Sequence, residues 1–130
     1  MTHLGSSTGT SQRKGVAKVT EGIIKILQGY HGSCQFLLEM SAGSGGVIGS
    51  TIAELAEIIK KSRQRLKKEE KAVPSIGVCV DTCHAFASGY NLTSQRDIQT
   101  FIREFDHTIG LSRLALIHAN DSKGALEDPA

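Results

Sequence analysis

The chain has 130 residues, a formal net charge of +2 and 39% apolar residues, enough for one domain with a real core and no length to spare for a second. That charge is too small to argue by itself for a nucleic-acid partner, although it leaves room for a local basic patch. No apolar stretch approaches membrane length and the first residues show no signal-peptide pattern, which points to a soluble cytoplasmic protein with no membrane partner. Three cysteines, at 34, 79 and 83, are an odd number that makes no disulfide framework and fits a reducing compartment. The sequon at Asn91 would matter only in a secreted protein.

In chain order, Val16, Val19, Ile23, Ile26 and Leu27 recur at helical spacing and predict a helix over 12–28. "CQFLLEM" (34–40) is a short apolar run of strand length. After the glycine-rich "SAGSGG", Ile52, Leu55, Ile59 and Leu66 line one face of a second helix. Its end carries "KKSRQRLKKEEK" (60–71), which reads as a solvated charged face leading to the opposite edge of the sheet. Pro74 closes that connection, and "SIGVCVD" (75–81) is the second strand. A third helix over about 94–108 places Ile98, Phe101, Ile102, Phe105 and Ile109 on one side, with Thr93 or Ser94 as cap and Gly110 as stop. "LALIHAND" (114–121) is the last strand.

Strands alternating with helices predict parallel pairing through right-handed crossovers. Apolar strands with little polar alternation predict a sheet covered on both faces. The class is therefore α/β; the pattern leaves open whether the sheet is open or part of a barrel.

Glu39 ends the first strand, Asp81 the second and His118 the third. In a parallel sheet these carboxyl ends share one edge, where ligands bind in open α/β sheets and barrels. Neighbouring strands lie roughly 5 Å apart, close enough for the three side chains to converge on one cation. His3 sits where an earlier strand would end, and His84, just beyond the second strand, is placed to hold a second ion. Carboxylates with imidazoles suit zinc, manganese or iron better than magnesium. Each residue also has a plainer reading: an acid at a strand end often caps a helix or pairs with a base, and a lone histidine is usually surface or core, as His31 and His107 are taken to be. Cys79 and Cys83 read as packed thiols ahead of metal ligands. "SAGSGG" is either a flexible connection or a loop whose glycines let backbone approach a phosphate.

"DTCHAFASGY" (81–90), "LLEMSAGSG" (37–45) and "IHANDSKG" (117–124) closely resemble the endonuclease IV family of apurinic/apyrimidinic (AP) endonucleases, and "THLGSS" (2–7) resembles that family's His-x-Gly-Ser-His segment. The resemblance runs nearly end to end. It implies a TIM barrel with a three-zinc site that cleaves double-stranded DNA 5′ to abasic sites by a metal-activated hydroxide. Carried over position by position, it implies His3 as a ligand of the first zinc, Glu39 as the bridge between first and second, Asp81 and His118 on the second, and His84 on the third. Glu39 and Asp81 are then the catalytic pair.

The chain departs from the family pattern at Met40 (usually Asn), Ser41 (Thr), Ser44 (Gln) and Ser7, which replaces a histidine. These changes bear on the hydrogen bonds that orient metal ligands. The resemblance also implies that residues 1–130 form a partial AP-endonuclease barrel domain, from about the end of strand 4 through strand 7, with strands 1–3 and 8 absent. Fewer than three zincs, little nuclease activity by itself and self-association through open sheet edges are then expected. Two other classes fit the residues: a metal-dependent sugar isomerase or epimerase barrel, and a non-catalytic metal-binding half-barrel.

Overall fold

The computed structural model of the chain describes residues 1–69 and 72–128. Glu70 and Lys71, the last two residues of the charged run, lie outside them. Ser11 is extended and its hydroxyl accepts the Lys14 N–H, which starts α1 (Gln12–Leu27); such a cap contributes about 1 kcal/mol. Val16, Ile23 and Leu27 bury one face of this helix and Ile24 joins them, whereas Ile26 is exposed. Helical spacing alone did not separate those two neighbours.

β1 (Phe36–Glu39), β2 (Ile76–Asp81) and β3 (Leu114–His118) form one parallel sheet in that order. Each strand is shorter than its apolar run by one or more residues. α2 (Ile52–Glu69) links β1 to β2, and α4 (Gln95–Thr108), capped by the Ser94 hydroxyl, links β2 to β3. α1 packs on α2 and α2 on α4. Along α2 the charged run is partly paired: Lys61 bonds Glu57, and Arg65 lies 2.9 Å from Glu21.

Register places Leu38 beside Val78 and Glu39 beside Cys79, and on the other side Asp81 beside His118. Because side chains alternate along a strand, Leu38, Ile76, Val78 and Val80 enter the hydrophobic core with the helices. Glu39, Cys79, Asp81 and His118 share the opposite face. On the free side of β1, Thr2 donates its N–H to the Leu37 carbonyl and accepts the Glu39 N–H. This short pairing brings His3 to the same end of the sheet.

Two features depart from the sequence reading. A short helix, α3 (Thr82–Ala87), follows β2 directly and was not anticipated. All six residues of β2 are buried, as a doubly covered strand requires, but Ala115, Leu116 and Ile117 of β3 are exposed. Ile98 and Ile102 of α4 are exposed beside them. β3 is the edge strand, and among the described residues it pairs only with β2. No described helix is long and apolar enough to cross a membrane.

Candidate metal centre

Glu39 and Asp81, at the ends of β1 and β2, are 2% and 3% exposed. A buried carboxylate costs several kcal/mol unless something compensates it. Among the described residues no lysine or arginine pairs with either acid; imidazoles face them instead. Glu39 Oε1 lies 3.2 Å from His118 Nδ1 and 3.7 Å from His84 Nδ1, and Glu39 Oε2 lies 3.5 Å from His3 Nε2. His118 Nδ1 is also 3.6 Å from Asp81 Oδ2. The five residues singled out from the sequence thus meet at one point, with His3 the most exposed of them.

His84 is oriented by the backbone. Its Nδ1–H donates to the Met40 carbonyl at 2.9 Å, which fixes the ring and leaves Nε2 as the nitrogen with a free lone pair. The Met40 side chain itself is fully buried in the core. The contact to His84 is thus made by the backbone and not by the Met40 side chain.

Asp81 is held twice over. Oδ1 accepts the Cys83 and His84 N–H groups at 2.9 and 3.1 Å and so caps α3, while Oδ2 accepts the Asn120 side-chain amide. Asn120 is in turn fastened to Thr82: its N–H donates to Thr82 Oγ1 at 2.9 Å, and that hydroxyl donates to the Asn120 carbonyl at 2.6 Å. Neither Asn120 nor Thr82 was given a role from the sequence. The signal was an amide two residues after the candidate His118.

The glycine-rich loop is a joint. The Ser7 N–H donates to the Gly46 carbonyl at 2.7 Å and the Ile48 N–H to the Gly5 carbonyl at 3.0 Å. Ser7 is buried; its hydroxyl lies 2.7 Å from Gln12 Oε1 and 3.0 Å from the Gly46 carbonyl, two acceptors sharing one proton. A Cβ at Gly46 would stand 2.7 Å from Ser7 Oγ, so glycine permits this close approach. On the other side the Ser88 hydroxyl donates to the Ser41 carbonyl at 3.0 Å. His31 and His107 are exposed and away from the centre, as read.

Cys79, as expected, is a buried free thiol. Burial, then the negative charges of Glu39 and Asp81, push its pKa up, while the His118 backbone N–H works the other way. Two sets of donors lie with their atoms within 4.8 Å of one another: Glu39, Asp81 and His84, and Glu39, Cys79 and His118. Glu39 Oε2 is buried without a hydrogen-bond partner. An acid oxygen left open among imidazoles and a second carboxylate, at the carboxyl ends of parallel strands, is the donor set a divalent metal such as zinc takes. The residues present fit such an ion.

Residues 1–129 match the family described as Xylose isomerase-like TIM barrel, so fold and site together define the chain as part of a barrel of that class, its three strands an arc of the barrel sheet. A probable endonuclease 4 from Halothermothrix orenii is 40% identical over 124 residues, which are 95% of this chain and 42% of the relative. One from Nitrosopumilus maritimus is 37% identical over 126 residues, 97% of this chain and 42% of the relative. The crystal structure of endonuclease IV from Thermus thermophilus shares 32% identity at a TM-score of 0.71, covering 88% of this chain and 38% of that one. Within the class, the chain belongs to the endonuclease IV family, and it spans about two-fifths of the length of these relatives.

Proposed function

We propose that the chain supplies part of the zinc centre of a DNA repair endonuclease that cleaves the phosphodiester bond 5′ to abasic sites in double-stranded DNA. The observation that carries this reading is Glu39: a carboxylate 2% exposed, with one oxygen accepting no hydrogen bond and three imidazoles within 3.7 Å, at the carboxyl end of a parallel barrel sheet. His3, Glu39, Asp81, His84 and His118 are the residues that would hold metal. Glu39 lies between His3 on one side and His118 on the other, which supports a bridging role. Asp81 and Glu39 bring the negative charge that draws divalent ions to the mouth of the sheet. The Met40 carbonyl holds the His84 ring, and Asn120 and the α3 amides hold Asp81, so the donors are oriented before any ion arrives. The chemistry that zinc supplies when bound is a lowering of the pKa of water toward ~7 and neutralisation of charge on the departing 3′-oxygen.

Elemental analysis of gel-filtered protein tests the centre. Stoichiometric zinc in the wild-type chain and its loss in Asp81→Ala are expected; no zinc in the wild type, or the same content in the variant, would overturn the reading. The 130-residue chain assayed by itself is expected to nick abasic-site duplex DNA weakly or not at all, because the exposed β3 edge leaves one side of the centre without a wall. Robust cleavage abolished by Glu39→Ala would show instead that these five residues suffice.

A further inference from the structure

The charged run at the end of α2 has no part in the metal centre, and its two faces differ. Lys61 and Arg65 are neutralised by Glu57 and Glu21. Lys60, Arg63 and Lys67, spaced i, i+3 and i+7, share another face and form no ion pair among the described residues. Like charges at this spacing repel one another. A fourth cation comes from a different element: Arg113, in the single turn Leu111–Arg113 before β3, lines the same cleft. The cleft has a volume of about 330 Å³, with Ile59 and Ile109 among its walls and no carboxylate among the described residues that line it. The Arg113 guanidinium donates at 3.0 Å to the Ile76 carbonyl, a neutral acceptor that leaves its charge uncompensated. Burial, then the Arg63 charge, pushes the Arg113 pKa below its ordinary value; the group stays protonated. Two guanidiniums thus feel each other's charge at a cleft to which no described acid contributes. Ile76 opens β2, so the cleft lies at the end of the sheet opposite Glu39, Asp81 and His118, roughly 17 Å away along this six-residue strand.

We propose that this cleft binds a condensed phosphate, either inorganic polyphosphate or the triphosphate of a nucleotide. The site is separate from the metal centre and does not depend on it. Arginine forks match phosphate oxygens two at a time, and lysine adds point charge. A diester backbone spreads single charges along a line, whereas cations gathered round one cleft suit several charges on one compact group. The ligand brings the negative charge that the cleft lacks and relieves the repulsion between Arg63 and Arg113. A net charge of +2 does not reveal this patch, because acids elsewhere in the chain balance it.

Titration calorimetry of the 130-residue chain with sodium tripolyphosphate, at about 0.15 M salt and with a chelator present, reads the cleft without the metal centre. Saturable binding at one site per chain is expected. Arg63→Gln with Lys67→Gln should weaken it about tenfold or more. Lys61→Gln with Arg65→Gln removes the same charge from the paired face of the same helix and should weaken it less than about threefold. All four side chains are exposed or half-buried, so far-UV circular dichroism should match the wild type throughout. No binding by the wild type would overturn the proposal and leave the run a solvated face. Equal losses in the two double variants would overturn it as well, as the sign of a diffuse field. A parallel titration with ATP separates the sources. Equal affinity supports a site that reads the phosphate chain alone, and tighter ATP binding supports a nucleotide site. Binding of intact duplex DNA through Arg63 and Lys67, with none of tripolyphosphate, would assign the cleft to a nucleic-acid backbone and overturn the condensed-phosphate reading.

Discussion

A carboxylate has two oxygens, and Asp81 divides them between different tasks. Oδ1 caps α3 through the Cys83 and His84 amides, and Oδ2 accepts from Asn120 while lying 3.6 Å from His118 Nδ1. The sequence posed helix cap and metal ligand as rivals for this residue; the structure shows the cap, in a position that still faces the centre. Glu39, Asp81, His84 and His118 were legible because acids and imidazoles at the ends of apolar runs stand out. The groups that orient them were not. A main-chain carbonyl at Met40 has no residue signature, and Asn120 acts across the strand-to-helix junction at a separation of 39 residues from Asp81. Asn120→Ala removes the amide that fixes Oδ2. Zinc affinity, measured by competition with a chromophoric chelator, is expected to fall about 10–100-fold, the range found when ligand-orienting partners are lost. Far-UV circular dichroism should be unchanged, since Oδ1 still caps α3. Unaltered affinity would mean that Asn120 ties β3 to α3 and nothing more.

Among the elements, α1, α2 and α4 were readable because each repeats the helical period over several turns. α3 was not, because its six residues are too few for a period and its start depends on a side chain from the preceding strand. Two glycines in α1 show how far helix propensity depends on what surrounds the helix. Glycine in a helix interior costs roughly 1 kcal/mol relative to alanine. At Gly22 an added Cβ meets nothing within 4 Å, so Gly22→Ala should stabilise by about that amount. At Gly15 the same methyl would lie 2.7 Å from Ile48 Cδ1, 2.8 Å from Ser7 Cβ and 3.3 Å from Ser7 Cα. The isoleucine end can turn away, but Ser7 is anchored to Gly46 by its N–H and cannot yield without moving the glycine loop. Overpacking of this kind costs typically 1–3 kcal/mol, which outweighs the propensity gain. Gly15→Ala is therefore expected to destabilise, and urea unfolding of the two variants should move in opposite directions. A stabilised Gly15→Ala would show the joint between α1 and the loop to be soft.

At the scale of the whole molecule, the sheet has unequal edges. β1 is flanked by the Thr2 pairing, but β3 shows exposed apolar residues and, among the described residues, pairs with no strand on its free side. The apolar character of "LALIH" correctly marked a strand, but not its cover: Ala115, Leu116 and Ile117 are exposed, and among the described residues the strand pairs only with β2. Ile117 is 55% exposed, and with Ile98 and Ile102 of α4 it borders a groove of about 590 Å³ that reaches Phe101 and Leu114. Exposed apolar strands without a charge or proline on the edge pair readily with another copy, so the chain should self-associate as its concentration rises. Ile117→Lys places a charge in the middle of that edge. Because the side chain is already largely in water, the substitution should alter unfolding free energy by no more than ~0.5 kcal/mol. The association should nonetheless shift toward monomer in sedimentation-velocity runs over a concentration series. If wild type and variant sediment alike as monomers, the edge is protected and the self-association expectation fails. If both associate equally, the contact lies elsewhere, and the free side of β1 beyond Thr2 becomes the edge to charge next.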